Sequence, residues 1–291
     1  MVSRISWFDR LPDVAHDASG DRAPAQGQGR GCFDMRTYFR WMLPLCVGVA
    51  GLPAARAEGD SFLEPTPYMR AVAAFERGDL PTAEALVTPV TVGPAATADD
   101  CALLGQIRQK QNRGVEAVAL FERAVAVQPQ RATLRTWLGA ALLDQALAAD
   151  GAQRVALLRR ARATLERAFE LDAGHVDAVL GLLRYHLLSP LDGDPASVTR
   201  YADTAAKLDP LSAPYDIAAL AEELGRFELA EKYYGIGAAA EPANPWLRWC
   251  HGRMLAKLGR VAEARAEFER ILKEIPGFPA AQKSLAELPA Q

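Results

Sequence analysis

The feature that most constrains this chain is a pattern that comes round six times. A small residue is followed four positions on by an aromatic or large one. Three later comes a small or apolar residue, and five beyond that a helix stop. Ala264, Phe268, Ile271 and Pro276 fit it, as do Ala117, Phe121, Ala124 and Pro129, and Ala230, Tyr234, Gly237 and Pro242. Looser sets are Ala161, Leu165, Ala168 and Ala173; Val198, Ala202, Ala205 and Pro210; and Ala83, Val87, Val90 and Ala95. The stops stand at 95, 129, 173, 210, 242 and 276, spaced by 34, 44, 37, 32 and 34 residues. Self-similarity near that period is the signature of stacked helical hairpins, each unable to bury its apolar face alone.

One unit shows the logic in full. From Asn244 to Pro276 two helical patterns flank a turn at Leu258, Gly259 and Arg260. Asn244 suits the N-cap and Pro245 the first turn, where a missing N–H costs nothing. Leu247, Gly252 and Leu255 lie on the buried side of the first helix. Ala264, Phe268, Ile271 and Leu272 share one face of the second, and Pro276 stops it. Leu104-Gly105 and Leu138-Gly139 place a small residue where the second helix of a hairpin closely approaches the first, and Gly252 does the same after His251.

These positions resemble the tetratricopeptide-repeat (TPR) family over most of residues 64–278. The resemblance implies an all-α fold, a right-handed α-solenoid of about six TPR-like hairpins with a C-terminal capping helix. The units run 64–97, 98–131, 132–175, 176–212, 213–244 and 245–278, with 279–291 as capping helix and tail. The family's tyrosine place departs from its pattern, being held by Arg108, Leu142, His186 and Leu255. In the first unit Pro65–Arg77 and Leu80–Val87 form the hairpin, and 88–97 is a connector ending on a capping Thr97. In the second, Asn112-Arg113-Gly114 makes the turn. The 44-residue spacing lengthens both helices of the third unit, near 132–149 and 152–171, by about five residues each, roughly 7–8 Å of helix. Asp194 caps a helix begun by Pro195, and Pro279–Leu288 closes the array with Gln282, Lys283 and Glu287 toward water.

Upstream the chain reads as an address. Residues 1–34 show no sustained period and are a disordered segment or an over-extended start ahead of Met35. Arg36 and Arg40 precede an apolar run from Trp41 to Leu52, and Ala55-Arg56-Ala57 is a small-x-small cleavage pattern. Residues 35–57 thus read as a signal peptide cut after Ala57, with 58–63 as a linker. A membrane anchor is the competing reading; it needs about 20 apolar residues, and Pro44, Gly48, Gly51 and Pro53 interrupt the run. The expected location is therefore the periplasm or cell envelope, with no stable membrane span after cleavage.

Net charge is −3, which argues against a nucleic-acid binder. Four cysteines are too few for a disulfide scaffold. Cys101 and Cys250 belong to distant units, so both read as buried apolar residues. No nucleophile elbow, zinc-protease motif, phosphate loop or dinucleotide fingerprint occurs. His175 and His186 sit about three turns apart, roughly 16 Å along a helix, too far for one metal. His251 stands at a core place and reads as structural. The sequence therefore predicts no catalytic residues, no cofactor and no metal.

Family resemblance places the first helix of each hairpin along a concave groove that holds a partner peptide or helix. In that register Trp246, Trp249, Arg253 and Lys257 form one stripe, with Gln106 and Lys110 in the second unit and Arg184 in the fourth. Aromatic anchors beside cations suit a peptide with apolar and acidic side chains. The alternative is that the two tryptophans pack on the neighbouring hairpin. The family's carboxylate clamp is unmatched, because Ala102, Trp137 and Gly181 occupy some of its places. Arg154, Arg159, Arg160 and Arg162 offer a ridge for an acidic partner, or a solvated face. The function expected is a non-catalytic protein–protein interaction scaffold in the cell envelope. The alternatives are an accessory subunit of an envelope enzyme, or a solute- or glycan-binding solenoid.

Overall fold

A computed structural model describes residues 66–93, 95–189 and 194–289. The expected leader at 35–57, the segment 1–34 and the linker 58–63 lie outside the described residues, as do 190–193. Thirteen helices and no strand occur among the described residues. They fall into two compact units that divide after Pro129.

The first unit holds α1 (Pro67–Glu76), α2 (Leu80–Val92), α3 (Ala98–Lys110) and α4 (Gly114–Val127). Side-chain oxygens start its helices. Thr66 accepts from the Met69 N–H at 3.2 Å and Asp79 from the Thr82 N–H at 3.2 Å. Thr97 and Asp100 make a reciprocal capping box at α3, satisfying two N–H groups that the helix leaves open. The turn between α3 and α4 takes its positive φ, 61°, at Asn112, while Gly114 already belongs to α4. Ala83, Val87, Leu104, Ile107 and Leu120 meet in the core with Ala71, Ala74 and Phe75.

One feature corrects the sequence reading and a second adds to it. The connector expected from residue 88 is helical as far as Val92, through Pro89. Proline removes one intrahelical bond, but tertiary contacts hold the last turn: Thr91 is buried, and Arg123 Nη2 of α4 donates to its carbonyl at 2.7 Å. The second concerns Arg108, at the family's tyrosine place. It is buried and reaches back to Glu84 of α2, whose other carboxylate oxygen accepts from Gln111 Nε2 at 2.5 Å. A charge pair between α2 and α3 therefore stands at this place.

The second unit holds α5 (Ala132–Ala148), α6 (Gly151–Leu171), α7 (Val176–Leu188), α8 (Pro195–Leu208), α9 (Ala213–Glu223), α10 (Phe227–Ala240), α11 (Pro245–Lys257), α12 (Val261–Glu274) and α13 (Pro279–Glu287). Its first hairpin is lengthened as expected, but unequally: α5 has 17 residues and α6 has 21, against 13 and 14 in α11 and α12. Asp194 accepts from the N–H groups of Ala196 and Ser197, and Asn244 from that of Trp246. Gly225 and Gly259 adopt φ of 70° and 77° at the α9–α10 and α11–α12 turns, a region that glycine enters without a Cβ penalty.

The recurring pattern is the packing pattern. Ala161, Leu165, Ala168, Ala202, Ala205, Ala230, Tyr234, Ala264, Phe268 and Ile271 are all buried. At the C-terminal end Leu255, Ala264, Phe268, Ile271, Phe278 and Ala281 form one cluster, closed by α13. Burying each large side chain contributes about 1.5–3 kcal/mol. Gln282, Lys283 and Glu287 face water. Cys101 and Cys250 are buried and form no disulfide. Among the described residues no helix is long and apolar enough to cross a membrane.

Candidate functional site

Helix α11 carries the Trp246–Lys257 stripe, and its fixed start sets the stripe's direction. Asn244 and Pro245 hold the first turn, so Trp246 emerges beside Phe278. The Trp246 indole packs edge-on against Trp249 (centroids 5.7 Å, 88°) and Phe278 (4.8 Å, 69°). It remains 49% exposed. Trp249 turns inward instead. Its Nε1–H donates to the Ala280 carbonyl at 3.1 Å and lies 3.0 Å from Ser284 Oγ. Trp249 is thus the peg that seats α13, and Trp246 is the ring it leaves at the surface.

The cations of the stripe converge on a residue the sequence reading missed. Arg253 Nη2 donates to Glu222 Oε1 at 2.7 Å, and its guanidinium carbon sits 4.7 Å from the Trp249 ring centroid. Lys257 Nζ lies 3.6 Å from the same Glu222 oxygen and 4.5 Å from the Phe227 ring centroid. Tyr234 donates its hydroxyl to Glu222 Oε2 at 3.1 Å, and burial raises the Tyr234 pKa, which keeps the phenol protonated. One carboxylate therefore faces two cations on the stripe that begins at the exposed Trp246 indole. Glu222 stands two residues before the Leu224-Gly225 turn, a place where an acidic residue reads as ordinary solvated surface.

The other expected residues are placed differently. Arg184 of α7 is 3% exposed and pairs with Asp144 of α5 at 2.7 Å. In the first unit Gln106 is half-buried, and Lys110 Nζ sits 5.5 Å from the Phe75 ring centroid. On α6, Arg159 and Arg160 are exposed and Arg154 half-buried. At about 100° per residue, Arg160 falls about 240° round the helix from Arg154, so the four arginines make no single ridge. Arg162 is drawn to Glu166 at 2.8 Å and to the Tyr185 ring. His186 stacks on Tyr201 with centroids 5.3 Å apart. His251 lies 3.2 Å from Glu231 Oε1 through Nε2, the structural role expected of it. Among the described residues no group of three or more His, Cys, Asp or Glu is placed to hold a metal.

The fold defines a helical-hairpin repeat protein. More particularly, it resembles the tetratricopeptide-repeat proteins. Residues 215–279 match the tetratricopeptide-repeat family model, and the hairpins have the TPR architecture. The fold is similar to that of PilW, described as a widely conserved type IV pilus biogenesis factor: 15% identity, 75% of this chain and 96% of that one, TM-score 0.55. It is also similar to PilF of Pseudomonas aeruginosa, at 18% identity over 76% of this chain and 96% of that one, TM-score 0.50. Cellulose synthase operon protein C of Pseudomonas fluorescens is 26% identical over 285 residues, covering 81% of this chain and 22% of that protein. The chain thus spans about a fifth of the length of that relative.

Proposed function

We propose that this chain is a non-catalytic, exported scaffold of the cell envelope that holds a partner peptide or helix on the outward stripe of α11. The observation that carries this reading is Trp246: a half-exposed indole packed on Phe278 and Trp249, on the same helix stripe as Arg253 and Lys257. A large apolar anchor with neighbouring cations is what an amphipathic acidic segment needs, because rigid aromatic anchors carry most of the energy of such interfaces. The exposed Arg159 and Arg160 offer a further attraction for an acidic partner. The sequence over 35–57 supports export. The descriptions of PilW and of cellulose synthase operon protein C name pilus biogenesis and cellulose synthesis, both compatible with assembly work at the cell surface.

A second reading is favoured by the name of that last relative. In it the protein is an accessory subunit or glycan binder, and the open face of Trp246 stacks on a sugar ring. One experiment separates the two. Residues 58–291 are used as bait in an envelope extract, bound proteins are identified by mass spectrometry, and soluble cello-oligosaccharides are titrated in parallel. A defined protein lost from a Trp246→Ala, Lys257→Ala variant supports the scaffold. Sugar binding lost with proteins retained supports the second reading. Hydrolytic or transferase activity in the pure protein contradicts both.

A further inference from the structure

Helix α6 begins earlier than its repeat requires. The pattern alanine is the fourth residue of α10 and of α12, Ala230 and Ala264, but Ala161 is the eleventh of α6. Seven extra residues therefore precede it, about 10 Å of helix. Helix α5 lengthens at the same end. Gly139 and Gly252 are both eighth in their helices, yet α5 runs nine residues beyond its glycine and α11 only five. By this register the α5–α6 turn projects past the later turns of the second unit.

The projecting part is basic. From Asp150 to Leu165 the chain carries Arg154, Arg159, Arg160 and Arg162 against one acid, Asp150. Arg162 pairs with Glu166 at 2.8 Å, and the N-terminal end of a helix adds a partial positive charge. Arg159 and Arg160 are exposed, and so are Ala152, Ala156 and Ala163. At about 100° per residue, Arg159 lies about 60° to one side of Ala156 and Arg160 about 40° to the other. The pair thus flanks the outward face of α6, opposite the buried Leu157, Ala161 and Leu165. The alanines between them are too short to screen either guanidinium.

The shape of this charge selects its counter-surface. A peptide meets cations along one line, and these arginines make none. A plane meets every long side chain within such an arc, and a projecting hairpin reaches a plane before its neighbours do. We propose that the N-terminal half of α6 docks on an anionic phospholipid bilayer, with Arg159 and Arg160 reaching the lipid phosphates. A guanidinium can give a phosphate two parallel N–H donors. With only alanines beside them, the arginines hold the surface by charge and not by insertion, so the contact is reversible and salt-sensitive. The site is separate from Trp246 and independent of the function proposed for it.

The test is co-sedimentation with large unilamellar vesicles. Residues 58–291 are used, so that the apolar run 41–52 does not itself bind lipid. Phosphatidylcholine vesicles containing phosphatidylglycerol are compared with phosphatidylcholine alone. Binding is expected to the anionic vesicles only, and is lost in about 1 M salt, where the Debye length is about 3 Å. Arg159→Gln, Arg160→Gln weakens it roughly 25-fold, taking about fivefold for each arginine at an anionic surface. Lys273→Gln, Lys283→Gln removes the same net charge from exposed sites on α12 and α13 and leaves binding unchanged, as does Trp246→Ala. Three results overturn the proposal: no binding to anionic vesicles, equal binding to phosphatidylcholine, or equal losses in the arginine and lysine variants. Poly-glutamate binding that depends on Arg159 and Arg160, with the vesicles left unbound, overturns it too and assigns the patch to an acidic protein.

Discussion

The Phe268 ring packs against the backbone of Gly252 so closely that a Cβ added to that glycine would lie 2.6 Å from Phe268 Cε1. The same relation recurs where the pattern recurs. A Cβ on Gly105 would lie 2.8 Å from Phe121, and Leu165 is pinned between Gly139 and Gly181, at 2.5 and 2.7 Å from their added Cβ atoms. The spacing of small and large residues along the chain is thus the spacing at which one helix of a hairpin admits the bulk of the next.

Gly252→Leu is expected to destabilise the second unit by about 1–3 kcal/mol, the usual cost of overpacking a filled core. Better helix propensity recovers at most about 1 kcal/mol of this. Adding Phe268→Ala restores part of the loss by making room, a coupling that denaturation of the four variants in a double-mutant cycle measures. Additive effects would mean that the two residues do not share this space.

Much of this was legible because it is local and periodic. Caps at Thr97, Asp194 and Asn244, the turn at Gly259 and the buried faces of α4 and α12 each follow from residues within a turn or two of one another. The helical course through Pro89 was hidden, because Arg123, which anchors Thr91, lies 32 residues beyond it. Glu222 was hidden for a similar reason: its partners Arg253 and Lys257 come from the next hairpin. The TPR-like register placed Trp246 and Trp249 together, but only the contacts of α13 divide them into one exposed ring and one anchored ring.

Trp249→Ala removes the donor to Ala280 and Ser284. A loss of about 2–3 kcal/mol is expected, at the low end for a large aromatic because the side chain is only partly buried. Backbone amides of α13 should lose hydrogen-exchange protection first, while those of α4 keep theirs. Uniform loss across the chain would contradict the assignment of Trp249 as the peg of α13.

Stability is expected to fall on the acid side in two steps. Burial lowers the His175 pKa below its usual 6.5, against the opposing pull of Asp172. The unfolded chain then takes up that proton first, so the contribution is complete above pH 6.5 and fades as pH falls below it. His175→Gln should flatten that step. Glu84 is held below its usual 4.5 by the Gln111 hydrogen bond and by Arg108. Its contribution is complete above pH 4.5 and disappears as pH drops through its folded value. Urea midpoints measured across pH check both, and a His175→Gln profile identical to wild type would remove the first.

The most direct measurement is calorimetric titration of the captured partner segment into wild type and into Trp246→Ala, Lys257→Ala. Both side chains are at least 40% exposed, so the account predicts that the variant stays folded at the titration temperature, with a melting temperature lowered only by the lost Trp246 contacts to Phe278 and Trp249. It also predicts at least tenfold weaker binding, equivalent to about 1.4 kcal/mol. Equal affinity in the two proteins would contradict the claim that the outward stripe of α11 is the binding surface.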